Sequence, residues 1–296
     1  MTGAKVIHAE DEESFCKFPQ INTMKRLLVP IDFSETSRNA ARYAAALAAD
    51  LKDTKLAFYH VFSPVLAGSD GTPLENNTEA RRQVVEMALG NIVADLPPGL
   101  DVETIAEEGD SLTENLVRYV RHQGADMIIM GLTGATRLQQ LLMGSNSLNM
   151  ALEAVCPVLI VPPNAAYKGV KNILFATDMK NAKTSTPIHQ LRSVLSIFEA
   201  NLHIVNIDVD HYVELTEEYK KEKADLQQML DGFNPEFYFI RIGDFVETIN
   251  IFSKDKDIDL IITVPRKHSF FSALFNPSNT KRLLYHTHVP VVAIRE

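Results

Sequence analysis

The chain has 296 residues, 46% apolar and 23% charged, and its 29 Lys and Arg against 38 Asp and Glu give a net charge of -9. That length can bury the core of one large domain or two ordinary ones, and the acidic balance argues against nucleic-acid and anionic-membrane partners, which need clustered Lys and Arg. No apolar run approaches the roughly 20 residues that span a bilayer, and the two cysteines, Cys16 and Cys156, form no CxxC pair, which disfavours a disulfide scaffold or thiolate zinc site and points to the cytoplasm.

Residues 1–23 contain the acidic run Glu10 to Glu13 and no apolar h-region, and read as an N-terminal tail rather than a secretory signal. From Lys25, KRLLVPIDFS is a short apolar run ending at Asp32. ETSRNAARYAAALAADL, Glu35 to Leu51, has helical spacing with Ala41, Ala44, Ala45 and Ala48 on one face. KLAFYHVF, Lys55 to Phe62, is the second apolar run, followed by the Gly-, Pro- and Asn-rich SPVLAGSDGTPLENNTEA. VETIAEEGD ends a third run at Asp110. SLTENLVRYVRH, Ser111 to His122, opens with a capping box of Ser111 and Glu114, and Leu112, Leu116, Val117 and Val120 fall on one stripe. ADMIIMG, Ala125 to Gly131, leads into GLTGATRLQQLLMGSNS, then a short helix from Ser145 to Val155 and the last run, CPVLIVP, Cys156 to Pro162.

This order is then repeated. KNILFATDMK ends in Asp178 as KRLLVPIDFS does in Asp32, NLHIVNID matches KLAFYHVF, FYFIRIGD matches the run to Asp110, IDLIITV matches ADMIIMG, and VPVVAIR matches CPVLIVP. The offset between matched residues falls from 146 (Asp32 to Asp178) to 134 (Asp110 to Asp244), so the deletion lies in the loop after the second strand. Short Val-, Ile- and Leu-rich runs without strict alternation are strands buried on both faces of a parallel sheet. Strands alternating with helices imply right-handed crossovers and helices on both faces. The sequence therefore predicts an α/β protein of two repeated open parallel five-stranded sheets, with domains at residues 24–163 and 169–296 and a linker, Asn164 to Lys168, too short for the halves to separate far.

The stretch from Gly131 to Ser147 carries the chemistry. It puts two glycines three apart at a strand end and a Gly-Ser pair at a helix start. Glycine lets backbone approach an oxyanion without a Cβ in the way, and a helix N-terminus offers free N–H groups and a positive dipole end. Ser145 and Ser147 add hydroxyl donors, so a nucleoside triphosphate fits. The same spacing is also that of a tight turn and a helix cap. Asp32 at the neighbouring strand end could face this crevice and bind a ribose hydroxyl, a base amino group or Mg²⁺, or could cap the first helix in competition with Ser34 and Thr36.

These residues resemble a tandem universal stress protein. LLVPIDFSETSRNAARYAAALA resembles the family's first strand and helix, HVF at His60 to Phe62 its second strand end, and CPVLIVP its last strand. Gly131, Gly134, Gly144 and Ser145 fit the family's ATP-binding pattern G-x2-G-x9-G-[ST], and the resemblance covers nearly everything from Met24 onward. It implies that Pro30, Ile31 and Asp32 line a nucleotide pocket with the backbone of Val61 at adenine. Met130, Gly131 and Gly134 would then flank ribose and phosphate, and Gly144, Ser145, Asn146 and Ser147 would hold the phosphates. It also implies strand order 3-2-1-4-5 and an intrachain pseudo-dimer through CPVLIVP and VPVVAIR.

The second copy departs from the pattern. In VPRKHSFFSALFNPSNT, Val264 replaces Gly131, Lys267 replaces Gly134 and Pro277 replaces Gly144, while Ser278, Asn279 and Asp178 are kept. A Cβ crowds the phosphate path and Pro277 has no N–H, so ATP is expected in the first domain only. Arg266, Lys267 and His268 read as a solvated loop, Phe270 and Phe271 as packing residues, and Glu217 to Phe233 as an outer-face helix. His60 and Cys156 read as packing residues, and the pair His286 and His288, at strand spacing, as structural or surface residues without a third metal ligand. The resulting function is a nucleotide-dependent regulatory module acting in stress response on an unknown protein partner, as a pseudo-dimer that can also form a homodimer. No general base accompanies the loop, so a slow ATPase is one alternative, and a scaffold binding a non-nucleotide ligand is another.

Overall fold

The computed structural model describes residues 25–51, 53–64, 78–132, 145–153, 155–207, 217–240, 244–265 and 277–295. The first half runs β1 (Lys25–Pro30), α1 (Glu35–Leu51), β2 (Thr54–Phe62), α2 (Thr78–Ala94), β3 (Asp101–Glu108), α3 (Leu112–Gln123), β4 (Met127–Gly131), α4 (Ser145–Glu153) and β5 (Val158–Val161). The second runs β6 (Asn172–Thr177), α5 (Ala182–Ser185), α6 (Ile188–Leu195), β7 (Asn201–Ile207), α7 (Glu217–Met229), β8 (Glu236–Ile240), α8 (Phe245–Asp255), β9 (Leu260–Thr263), α9 (Pro277–His286) and β10 (Val291–Ala293).

Each half has the expected order, but the halves share one ten-stranded sheet, β3-β2-β1-β4-β5-β10-β9-β6-β7-β8. Every pairing within a half is parallel; the junction alone is antiparallel, with Val291 opposite Ile160, Val292 opposite Leu159 and Ala293 opposite Val158. All six residues are at most 3% exposed. The two last strands, which would each be an open edge, pair with one another and leave β3 and β8 as the outer edges.

Successive strand residues go to opposite faces, as the pleat requires. Leu27 and Val29 join one core with α1, α2, α6 and α7; Leu28 joins the other with α3, α4, α8 and α9. Ala40, Ala41, Ala44, Ala45 and Ala48 of α1 are all buried, and their small side chains bring the helix backbone close to the sheet. The linker is fastened to this same helix. Asn39 Nδ2 donates to the carbonyls of Pro162 (3.2 Å) and Ala165 (3.0 Å), the Tyr167 hydroxyl donates to Asp50 (2.6 Å), and the Tyr167 ring meets Tyr43 edge-on.

The counterpart of α1 in the second half is broken into α5 and α6, with Pro187 standing at the N-cap of α6. The outer-face helix is α7, which buries Leu226 and leaves Glu217, Glu218, Lys220 and Lys221 exposed. His286 ends α9 rather than lying on a strand with His288, so strand spacing does not apply to that pair. Among the described residues no group of three or more His, Cys, Asp or Glu could hold a metal, and no helix is long and apolar enough to cross a membrane.

One buried histidine has no counterpart in the first half, where Ala57 takes its place. His203 of β7 is 6% exposed, lies against the Tyr238 and Phe252 rings, and has no hydrogen bond on either ring nitrogen. The charged groups near it are Glu236, 3.5 Å from Nδ1, and Lys256, whose ammonium sits over the Tyr238 ring. Burial pushes the His203 pKa down; Glu236 opposes this and Lys256 reinforces it.

Val292→Asp would bury a charge opposite Leu159, and should lower the urea-unfolding free energy by about 3 kcal/mol or more. A loss under about 1 kcal/mol would show that the β5–β10 junction does not hold the halves. A depressed folded pKa at His203 means that the unfolded chain takes up the proton first. Stability is therefore full above the ordinary value of 6.5 and falls as pH drops from there through the folded pKa. Thermal melts across that window should show a shallower pH slope for His203→Ala than for wild type, and equal slopes would refute the assignment.

Candidate functional site

A cavity of about 490 Å³ opens in the first half at the carboxyl ends of β1 and β4. The sheet order makes this the place where β2 and β4 leave β1 in opposite directions, so the flanking crossovers diverge and leave a crevice. Pro30, Ile31, Asp32, Val61, Met130, Gly131, Asn146 and Ser147 all line it. Gly134 and Gly144 lie outside the described residues, as do Arg266, Lys267, His268, Phe270, Phe271 and Cys16; Ser145 opens α4 by its backbone, and its side chain is outside the description.

The structure adds a wall that sequence reasoning missed. Gly109 to Glu114, the end of β3 and first turn of α3, also line the cavity. Ser111 caps α3 by accepting a hydrogen bond from Glu114 N at 3.3 Å, as the capping box predicts, but nothing in that motif tells which cavity the helix start faces. The N-termini of α3 and α4 thus converge on one space, and their unpaired N–H groups and dipole ends favour negative charge there. The charged side chains among the described lining residues are the carboxylates of Asp32, Asp110, Glu114 and Glu153, so among those residues what favours an anion is backbone at the helix starts.

Asp32 is held in a local turn. Its Oδ1 accepts from Ser34 N (3.0 Å) and Ser34 Oγ (2.5 Å), while Ser34 Oγ accepts from Ser37 N (3.2 Å), which makes Ser34 the cap of α1. Partial burial pushes the Asp32 pKa up, but hydrogen bonds from Ser34, Ser37 and backbone outweigh it and hold the carboxyl below its ordinary value. Between Asp32 and Ser34 the chain passes through Phe33 at φ 64°, a left-handed conformation that the turn stabilises. The second half repeats the device: Asp178 Oδ1 accepts from Lys180 N at 3.2 Å across Met179 at φ 51°. The aspartate retained in both halves therefore has a turn to hold whether or not a ligand binds.

The same comparison accounts for His60. Its Nδ1 donates to the Ile31 carbonyl at 2.6 Å and its ring tilts against Phe33. Asn206, its counterpart, donates to the Thr177 carbonyl at 3.5 Å, which ties the same two strand ends. Ser147, expected to reach phosphate, is 1% exposed and donates its hydroxyl to the Gly131 carbonyl at 3.0 Å, pinning α4 to the end of β4. Its hydroxyl proton is committed to the fold; the matching Thr280 hydroxyl in the second half has no partner. Cys156 is buried, and that burial pushes its thiol up to about 12, so it stays neutral as packing.

Gly131 carries a packing constraint of its own. A Cβ there would lie 2.3 Å from the Thr36 carbonyl oxygen and 2.6 Å from its carbon, both fixed in α1. The glycine is what allows the first turn of α1 to touch β4. In the second half Val264 is 8% exposed, and the corresponding helix starts one residue later, after Asn181 at φ 53°, and breaks after Ser185.

Two further lining residues, Asp110 and Asn149, correspond to Asp244 and Arg282. In the second half these form an ion pair at 2.7 Å, with Asp244 also capping α8 through Val246 N and Glu247 N. Hydrogen bonding by Arg282 and by those two amides holds the Asp244 carboxyl below its ordinary value. On the other wall, α7 packs on α5, where Glu222 accepts from Ala182 N at 2.7 Å and Lys183 pairs with Asp225 at 2.9 Å. Asp244 and Arg282 thus pair at positions whose first-half counterparts, Asp110 and Asn149, line the cavity.

Comparison with known proteins follows the same division. The sequence model of the universal stress protein family matches residues 23–162 and 170–295. A universal stress protein of Mycolicibacterium smegmatis is 25% identical over 289 residues, covering 91% of this chain and 96% of the relative. One from Methanocaldococcus jannaschii is 31% identical over 146 residues, 47% of this chain and 83% of the relative. Among solved structures, a universal stress protein from Archaeoglobus fulgidus shares the fold with a TM-score of 0.65 at 18% identity, covering 93% of this chain and 97% of that one.

Gly131→Val should destabilise the first half by roughly 2 kcal/mol, the cost of overpacking against fixed backbone. Hydrogen exchange should quicken first in the initial turn of α1. Unchanged stability and exchange would show that α1 does not depend on this contact.

Proposed function

Because the chain belongs to the universal stress protein family, we propose that it is a nucleotide-dependent regulatory module in stress response that binds ATP in its first half, residues 24–163, with residues 169–296 as a non-binding partner domain. The observation that carries this reading is the asymmetry of the two crevices. The first is a cavity of about 490 Å³ with two helix N-termini turned to it; the second has Asp244 and Arg282 paired across the matching positions. A triphosphate suits helix N-termini, and the G-x2-G-x9-G-[ST] pattern of Gly131, Gly134, Gly144 and Ser145 is present in the first half alone.

In this reading Pro30, Ile31 and the Val61 backbone receive the base, and Asp32 receives a ribose hydroxyl through the oxygen not used in its turn. The first turn of α4, from Ser145 through Asn146, receives phosphate. Ser147 acts by holding that turn in place. The lining carboxylates would repel a bare triphosphate, so Mg²⁺ bound to the nucleotide favours complex formation. Among the described lining residues the candidate bases are carboxylates already engaged or exposed, which favours binding over turnover. Binding then acts by stabilising one state of the first half toward a protein partner, in the cytoplasm.

Calorimetric titration of the full chain with Mg·ATP should give one site per chain. Asn149→Arg imports the second-half pairing with Asp110 and should abolish binding, whereas Arg282→Asn should leave it unchanged. Absence of binding by wild type, or two sites per chain, would sink the proposal.

A further inference from the structure

The antiparallel junction carries Arg295 of the second half to α4 of the first. Continuing the ladder beyond Ala293 and Val158 places Arg295 alongside Cys156, just past the end of α4. There its guanidinium Nη1 donates to the Leu152 carbonyl. Leu152 is the penultimate residue of α4, so this carbonyl is one of the four that an α-helix leaves without an internal partner. The Arg295 backbone N–H donates to Gln190 Oε1 of α6 at 2.9 Å. Arg295 therefore links α6, packed on one face of the sheet, to α4, packed on the other.

We propose that Arg295 is a positioning residue through which the second half sets the anion affinity of the first. α4 is then held at both ends: Ser147 pins its first turn to the Gly131 carbonyl, and Arg295 satisfies its last. A cation at a helix C-terminus complements the negative end of the dipole, and a fixed axis keeps the N-terminal amides aimed at the cavity. Asn146 and Ser147 of that first turn are cavity-lining residues. The arrangement is one-way. Pro162 is the residue that matches Arg295 in the first half, and it has neither a cationic side chain nor an N–H to give to α9. The half with the described cavity receives the clamp, and the half with the Asp244–Arg282 pair supplies it.

This inference rests on nucleotide binding in the first half, and the test separates the two. Affinities for Mg·ATP and for adenosine are measured on the full chain as wild type, Arg295→Gln and Arg295→Lys, with hydrogen exchange of α4 in each. Arg295→Gln should weaken ATP about fivefold, the scale of one helix-terminal charge, while adenosine, which lacks phosphate, is unchanged. Arg295→Lys, which keeps the cation, should recover most of the loss, and α4 amides should exchange faster in Arg295→Gln. An ATP affinity within about twofold of wild type, or an equal loss for adenosine, would overturn the positioning role. If wild type binds neither ligand the nucleotide reading fails by itself, and unchanged α4 exchange in Arg295→Gln would then overturn the clamp as well.

Discussion

The antiparallel pairing of β5 with β10 is the contact on which the rest of the architecture depends. A five-stranded parallel sheet of this order ends on its last strand, an apolar edge with open backbone donors and acceptors. Val158 to Val161 and Val291 to Ala293 are almost wholly buried because each edge covers the other. The pairing turns two small cores into two continuous ones, each running the length of the ten-stranded sheet. It also fixes what lies near what. The linker is short and fastened along α1 by Asn39 and Tyr167, so the halves meet in one register.

A duplicated chain supplies its own control for deciding which residues serve the fold. Asp32 and Asp178 hold the same turn, and His60 and Asn206 tie the same strand ends, so these roles in both halves follow from local structure. Gly131 belongs to a different class. Its missing Cβ serves the contact with α1 and also opens the strand end, so a side chain at this position bears on the helix and the crevice together. In the second half, where Val264 takes that place, the counterpart helix is divided into α5 and α6 at Pro187 and α7 packs on α5.

Much of this was legible in the sequence because its cause is local. Buried parallel strands are continuous apolar runs, α3 begins with Ser111 and Glu114 in a capping box, and α1 shows its alanine face directly. The floor of the cavity was legible for a related reason: Pro30 to Asp32, Met130 and Gly131 sit at strand ends, and the strand-end rule applies before any side chain is placed. The α3 wall was not, because the direction in which a helix start faces depends on crossover geometry. The Asp244–Arg282 pair was equally hidden, since it joins residues on two helices whose closeness no periodicity encodes. His286 shows the converse error, in which an alternating pair suggested a strand where the helix had not yet ended.

The electrostatics of the first crevice explain why its geometry has to be so closely fixed. Four carboxylates stand on its lining and none of its described lining side chains is cationic. If an anion binds there as proposed, the described residues offer it backbone N–H groups at helix starts, whose effect falls off within a turn and depends on aim. Small displacements of α4 would exchange a favourable dipole end for the repulsion of Asp32, Asp110, Glu114 and Glu153. A site built on cations would tolerate such movement, because a flexible ammonium follows its ligand. A site built on helix ends does not, so on the proposed reading the fixtures of α4 bear on binding as much as on stability. Two of these fixtures are the Ser147 hydroxyl, from within the same half, and the Arg295 guanidinium, from the other. On the proposed reading the second half thereby takes part in the first half's site.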